Sequence, residues 1–228
     1  HCVWGLALAH RRRHGAHSGR AWELEQRVLA LMRGLLRAML RQAAKVERFK
    51  SSLDPLDALH AKYDSSSGDP VVADDAWGHL QIDATSLFLL QLAQLTRGGC
   101  IVIRSRDEVD FVQNLVHYVA RAYRTKDYGI WERGDKGNHG LPERNASSIG
   151  MAKAALEALD GLDLFGARGD HSSRLLIPQG AIVRLRRALQ SLLPRESASK
   201  EADSACLSVI GYPAWAVEDR TLVERTQR

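Results

Sequence analysis

The stretch from Asp127 to Lys136 (Asp-Tyr-Gly-Ile-Trp-Glu-Arg-Gly-Asp-Lys) gathers groups that could do chemistry. It sets the indole of Trp131 beside the carboxylate of Glu132, the guanidinium of Arg133 and a second carboxylate, Asp135, with Gly129 and Gly134 close by. Glycine next to charge lets backbone and side chains close around a small polar ligand without steric penalty. Upstream, Trp77-Gly78-His79-Leu80-Gln81-Ile82-Asp83 again combines an indole with polar side chains. Each stretch runs on into a long apolar-periodic segment, which predicts one pocket built from two loops on a helical scaffold. Carbohydrate sites have this chemistry, with a flat indole face to carry the sugar ring and polar side chains to take its hydroxyls. Trp77, His79, Gln81, Asp83, Trp131, Arg133 and Asp135 are the candidate sugar-binding residues. The same residues admit a plainer reading, in which both tryptophans pack in the core and Glu132, Arg133 and Asp135 form an exposed ion-pair cluster.

The elements that must position these loops are helical. From Trp22 to Phe49, Leu24, Val28, Leu31, Met32, Leu35, Leu36, Met39 and Val46 recur at three-to-four-residue spacing, with arginines on other faces, predicting one amphipathic helix. Residues 51–76 change to Ser, Asp, Gly and Pro, a length of irregular chain that is either a functional loop or a disordered one. Asp74 and Asp75 stand at its end, as sugar ligands or as solvated turn residues. A helix is expected from Asp83 to Thr96, closed by Gly98-Gly99. Cys100 to Ile103 reads as a short strand or a buried connector. Ser105-Arg106-Asp107-Glu108 has the capping-box pattern and opens a helix through Phe111, Leu115, Val119 and Tyr123. A further helix follows, capped by Asn145 or Ser147, whose small residues (Ala152, Ala154, Ala155, Ala158) permit close approach of a neighbour. Another runs from Gln179 to Leu193 and stops at Pro194, leaving a polar connector over 194–205 before apolar segments at Cys206–Ile210 and Ala214–Val217. No βαβ rhythm appears, so the fold class is all-α.

Composition excludes other classes. In 228 residues, 45% hydrophobic and 26% charged content is that of an ordinary globular domain. The net charge of +5 is dispersed, and its densest run, His10 to His14, reads as a solvated helix end or loop. Basic and aromatic residues do not interleave as a nucleic-acid platform requires, so no nucleic-acid partner is expected. Cys2, Cys100 and Cys206 are odd in number and far apart, which argues for a reducing compartment and against structural zinc. The sequon Asn145-Ala146-Ser147 is read as a helix cap. Opening on His1-Cys2-Val3-Trp4 without an initiator methionine, the sequence is expected to be part of a longer chain.

The two tryptophan stretches also carry a resemblance. Trp77 to Ser86, Gly129 to Lys136, Phe111 to Val116, Gly150 to Leu159, Leu162 to Gly166 and Pro213 to Asp219 resemble the regulatory alpha and beta subunit family of phosphorylase kinase, over nearly the whole chain. Asp135, with Asn145-Ala146-Ser147-Ser148 downstream, is nearer the alpha branch. The N-terminal domain of that family resembles the glucoamylases, which fold as a toroid of six inner and six outer helices. The resemblance therefore implies a partial (α/α)6 toroid, with residues 1–228 one incomplete domain containing loop 51–76 and connector 194–205. It implies a non-kinase regulatory subunit acting on glycogen breakdown, with a kinase catalytic subunit, other regulatory subunits and calmodulin as partners. No cofactor is implied, and the location is cytoplasmic, reaching a membrane only through a prenyl anchor elsewhere in the parent chain. No phosphate-binding glycine loop or His-Arg-Asp catalytic loop is present.

By the same resemblance, Trp77, Gly78 and Gln81 match a glucoamylase segment that lines the sugar subsite, and Glu132 takes the place of the general acid. His79 stands where glucoamylases carry arginine, and Arg133 where they carry a second glutamate. An inverting glycosidase also needs a base carboxylate roughly 6.5–9.5 Å from the acid, which the resemblance places beyond Arg228. An arginine beside Glu132 favours the ionised carboxylate, whereas a general acid must hold its proton. The alternatives to the regulatory subunit are thus an inverting hydrolase of α-glucans, with Glu132 as acid, and a module that binds an oligosaccharide without cleaving it.

Overall fold

The computed structural model describes residues 2–15, 18–76, 80–130 and 139–228. Within them the chain forms α1 (Cys2–His14), α2 (Gly19–Leu40), α3 (Ala43–Ser52), α4 (Ile82–Arg97), α5 (Arg106–Ala122), α6 (Ala146–Leu159), α7 (Ala181–Leu192), α8 (Leu207–Ile210) and α9 (Arg220–Gln227). Short 3-10 turns and three isolated β-bridges complete the regular structure of the described residues. The class is all-α, as expected.

Two helices lie inside, with α2, α5, α7 and α8 packed against them. α4 and α6 are buried over most of their circumference, and they pack against each other more extensively than any other pair. α2, α5 and α7 each bury one stripe and expose the other, the pattern of helices with one wet face. This inner and outer layering is what a toroid of paired helices requires. It explains why α6 is built of small residues. A Cβ on Gly150 would sit 2.3 Å from Cγ1 of Val209, so α8 reaches the α6 backbone only because that position is glycine.

The expected helix from Trp22 to Phe49 is in fact two. Its pattern is interrupted at Arg41 and Gln42, where the Gln42 N–H turns back to the Met39 carbonyl. The buried Gln42 amide serves the loop: its nitrogen donates to the Tyr63 hydroxyl (3.3 Å) and its oxygen accepts from the His60 N–H (3.3 Å). Leu31 and Leu35, expected in the core, are 62% and 42% exposed on the outer face of α2. Cys100 to Ile103 is a connector rather than a strand; Val102 and Ile103 are buried, and the Val102 carbonyl accepts from Arg33 (2.7 Å), which also pairs with Glu108 (2.9 Å). Half of the expected capping box forms: Ser105 accepts from the Glu108 N–H (3.2 Å), while the Glu108 carboxylate takes the Arg104 N–H (2.7 Å) instead of closing onto Ser105.

The loop from Leu53 to Ala76 is held by its own turn chemistry. Asp54 caps a 3-10 turn at Pro55–Asp57, and the Asp64 carboxylate accepts from the N–H groups of Ser66 and Ser67 (both 2.8 Å). Ion pairs from Arg41 to Asp69 (2.6 Å) and from Lys45 to Asp74 fasten it to the α2–α3 corner.

The connector over 194–205 contributes a cap to α6. Asn145 stands at the N-cap but makes no cap bond with its side chain. Glu196 does so from a distance: its carbonyl accepts from Ala146 (2.7 Å), and its carboxylate accepts from the N–H (3.0 Å) and hydroxyl of Ser147. A carboxylate suits a helix N-terminus electrostatically, yet burial outweighs this and pushes Glu196 up to about 7.

Two outcomes are expected. Gly150→Ala should cost about 1–3 kcal/mol in chemical denaturation, the range for an overpacked core, and a paired Val209→Ala should recover part of it. In the folded protein Glu196 keeps its proton up to about pH 7, whereas the unfolded chain releases it near 4.5. The folded state thus binds more protons in that interval, so the contribution of Glu196 to stability falls as pH rises through it and is lowest above it. The stability of the parent relative to Glu196→Gln should decline across the same interval; a difference independent of pH would contradict the assignment.

Candidate functional site

The two tryptophan loops are tied together at their described ends. Gln81 donates from Nε2 to the Gly129 carbonyl (3.1 Å), and the Tyr128 N–H donates to the Leu80 carbonyl (3.2 Å). The chain entering α4 and the chain leaving α5 therefore run side by side where both candidate stretches begin. Trp77, His79, Trp131, Glu132, Arg133 and Asp135 lie outside the described residues. Of the candidate sugar ligands, Gln81 is half-buried and engaged with Gly129, and Asp83 is 6% exposed in the first turn of α4.

Beneath this junction lies Asp127, whose structural role sequence reasoning missed. It is fully buried, and its carboxylate accepts three hydrogen bonds: from the Ile82 N–H (3.0 Å), the Asn145 side-chain amide (2.8 Å) and the Ser148 hydroxyl (2.6 Å). Its backbone N–H and carbonyl exchange bonds with Glu143 (2.8 and 2.9 Å). One side chain thus supplies the cap that α4 lacks, since Gln81 at its N-cap makes no cap bond. It also fixes the Asn145 side chain at the start of α6 by accepting from its Nδ2. Burial raises the Asp127 pKa, and the bonds from Ser148, Asn145 and Ile82 pull it back. The only sequence signal was an aspartate at the head of a glycine-flanked loop.

Gly129 is required by the same junction. Its φ is +69°, and an added Cβ would stand 3.0 Å from Cγ of Asn145. Glycine here serves packing under the loop as well as the freedom expected of it.

A cleft of about 240 Å³ opens beside the loop ends, lined by Leu56, Asp74, Asp75, Leu80, Lys126 and Tyr128 among others. Asp74 accepts from Lys45 and from His60 Nε2 (2.6 Å), bonds that hold its carboxylate below the usual range. It is therefore more than a solvated turn residue, and its half-exposed carboxylate is a hydrogen-bond acceptor at the cleft wall. Among the described residues no cluster of His, Cys, Asp or Glu is arranged to hold a metal ion, and all three cysteines are free thiols. No helix among them is long and apolar enough to cross a membrane.

Comparison with known proteins places this geometry in a lineage. Residues 2–219 match the family described as Glycosyl hydrolases family 15. The chain is 57% identical over 227 residues to the probable phosphorylase b kinase regulatory subunit alpha of Drosophila melanogaster. It is 56% identical to the skeletal muscle isoform of that subunit from Oryctolagus cuniculus and 54% identical to the liver isoform from the same species. Each match covers 99% of this chain and 18% of the relative, so the chain spans about a fifth of the length of those proteins.

Asp127→Ala should strand three donors at the helix junction and cost at least about 3 kcal/mol in chemical denaturation, since each buried unsatisfied group costs about 1–3 kcal/mol. A loss below about 1 kcal/mol would mean that these N-termini are held by something else.

Proposed function

The chain belongs to glycosyl hydrolases family 15, and from that premise we propose that it is part of a regulatory, non-kinase subunit of phosphorylase kinase. In this reading it helps control glycogen breakdown through a catalytic kinase subunit, alongside other regulatory subunits and calmodulin. The observation that carries the reading is the identity of 54–57% to alpha subunits sustained over 99% of the chain. Such similarity spans the inner helices, the outer helices and the loops between them. The parent protein works in the cytoplasm, and any attachment to the cytoplasmic face of a membrane comes from prenylation outside this stretch.

The pocket is assigned a sugar-binding role within that subunit. Trp77 and Trp131 carry the ring of an oligosaccharide, and His79, Gln81, Asp83, Arg133 and Asp135 take its hydroxyls. What supports this is the hydrogen bonding of Leu80 and Gln81 to Tyr128 and Gly129, which joins the described ends of the two stretches beside one cleft. Glu132 occupies the general-acid position, but Arg133 next to it favours the ionised form. Asp127 and Glu196, the most deeply buried carboxylates among the described residues, are consumed as helix caps and do not supply a base. Hydrolysis is therefore the weaker reading, and binding without cleavage the stronger.

Native affinity purification of the intact parent protein, with mass spectrometry of what accompanies it, tests the first proposal. Stoichiometric recovery of a protein kinase and calmodulin is expected; recovery as a lone chain would overturn it and revive the hydrolase. For the pocket, Trp77→Ala should weaken oligosaccharide binding, and Glu132→Gln should leave binding intact with no glucose release from either form. Glucose release by the parent that Glu132→Gln abolishes would establish the hydrolase instead.

A further inference from the structure

A second cleft, of about 390 Å³, is built from the end of α3, the C-terminal half of α5 and the start of α7. It shares no lining residue with the cleft beside the tryptophan loops. Lys50, His117, Arg121, Arg124 and Arg184 line it, and no acidic residue does. The partners of its guanidinium groups are neutral. Arg121 donates to the Lys50 carbonyl, Arg184 to the Gln179 carbonyl (3.1 Å), and Arg124 to the Tyr123 hydroxyl (3.4 Å) while lying over that ring. Among the described residues none of the three forms an ion pair; Lys50 alone has a carboxylate, Glu47 at 2.8 Å, and Asn114 besides. Arg33, Arg41, Arg48 and Arg186, by contrast, each rest on a carboxylate.

Three uncompensated guanidinium groups facing one concavity focus positive potential there, and an entering anion relieves their mutual repulsion. Their planar forks match phosphate oxygens in bidentate fashion. A single carboxylate offers one negative charge and two oxygens, whereas a phosphomonoester offers about −1.5 to −2 charge and three acceptor oxygens. The volume exceeds the need of a bare anion and falls in the range of roughly 300–1,000 Å³ typical of small-molecule sites. Pro178 and the aliphatic stems of the cations provide an apolar wall for an organic group. An isolated cleft of this kind is also unlike the extended basic groove that tracks a nucleic-acid backbone.

We propose that this cleft binds the phosphoryl group of a small phosphorylated organic molecule, anchored by Arg121, Arg124 and Arg184 with Lys50 at its edge. The site is independent of the sugar pocket assigned above and gives the protein a second class of ligand.

Isothermal titration calorimetry on the full-length protein, at constant ionic strength, tests this with glycerol 3-phosphate, pyrophosphate, citrate and glycerol. Saturable binding of glycerol 3-phosphate is expected, with no binding of glycerol and weaker binding of citrate. Arg124→Gln and Arg184→Gln, both at exposed positions without ion pairs, should each weaken that binding about tenfold, the loss of one charge-assisted contact, with Tm unchanged. Absence of saturable phosphate binding, citrate binding as tight as phosphate, or affinity unchanged in both variants would overturn the site. Binding of pyrophosphate alone would overturn the organic ligand.

Discussion

The buried carboxylate of Asp127 is the constraint on which the arrangement of this protein depends. It takes a backbone N–H from the first residue of α4 and side-chain donors from the cap and first turn of α6. These are the two helices that form the interior. Removing a carboxylate from water is costly, and here burial raises its pKa despite three donors. The bonds offset that cost only while all three partners stay in place. The chain segments around these bonds lead into the two tryptophan stretches, and Leu80 and Gln81 meet Tyr128 and Gly129 at their described ends.

Glu196 repeats the device at lower stakes. From the connector after α7 it caps α6, and burial leaves it close to neutral pH in its titration. Both inner helices thus take their N-terminal acceptors from chain far away in sequence, while several outer elements use their own: Ser18 for α2, Ser105 for α5 and Asp219 for α9. A helix that lies inside needs its first N–H groups satisfied without water, and neighbouring chain can do so where a local cap does not. The consequence for function is that the strongly buried acids are structural. Asp74, at the wall of the cleft by the loop ends, is by contrast half-exposed.

The molecule separates its polar surfaces by charge. Beside the described loop ends the cleft wall mixes Asp74 and Asp75 with Lys126. At the junction of α3, α5 and α7 every ionisable residue of the wall is basic. Elsewhere several cations are neutralised by carboxylates, including Lys153, fully buried between Glu157 and Glu218. One helical scaffold thus carries two clefts of different electrostatics.

The residues by themselves determined the helices, because a 3.6-residue apolar period and local caps act within one turn of chain. Ser105 and the Phe111-to-Val119 stripe placed α5, and the apolar run after Asp83 placed α4. The same local reasoning paired the two tryptophan stretches, and it described the loop from 51 to 76 as irregular chain with turn chemistry. It ran one helix through Arg41 and Gln42, because the reason for the break, the Gln42 amide meeting His60 and Tyr63, lies in another segment. It likewise put Leu31 and Leu35 in the core, since period alone does not say how wide the covered stripe is. Only the tertiary structure decided that Asp127, Glu196 and Gly150 matter most to the interior. Asn145, Ser148, Ile82, Ser147 and Val209, which meet them, lie 18 or more residues away in the chain, and a hydrogen bond or a steric contact depends on distance in space, which sequence spacing does not encode.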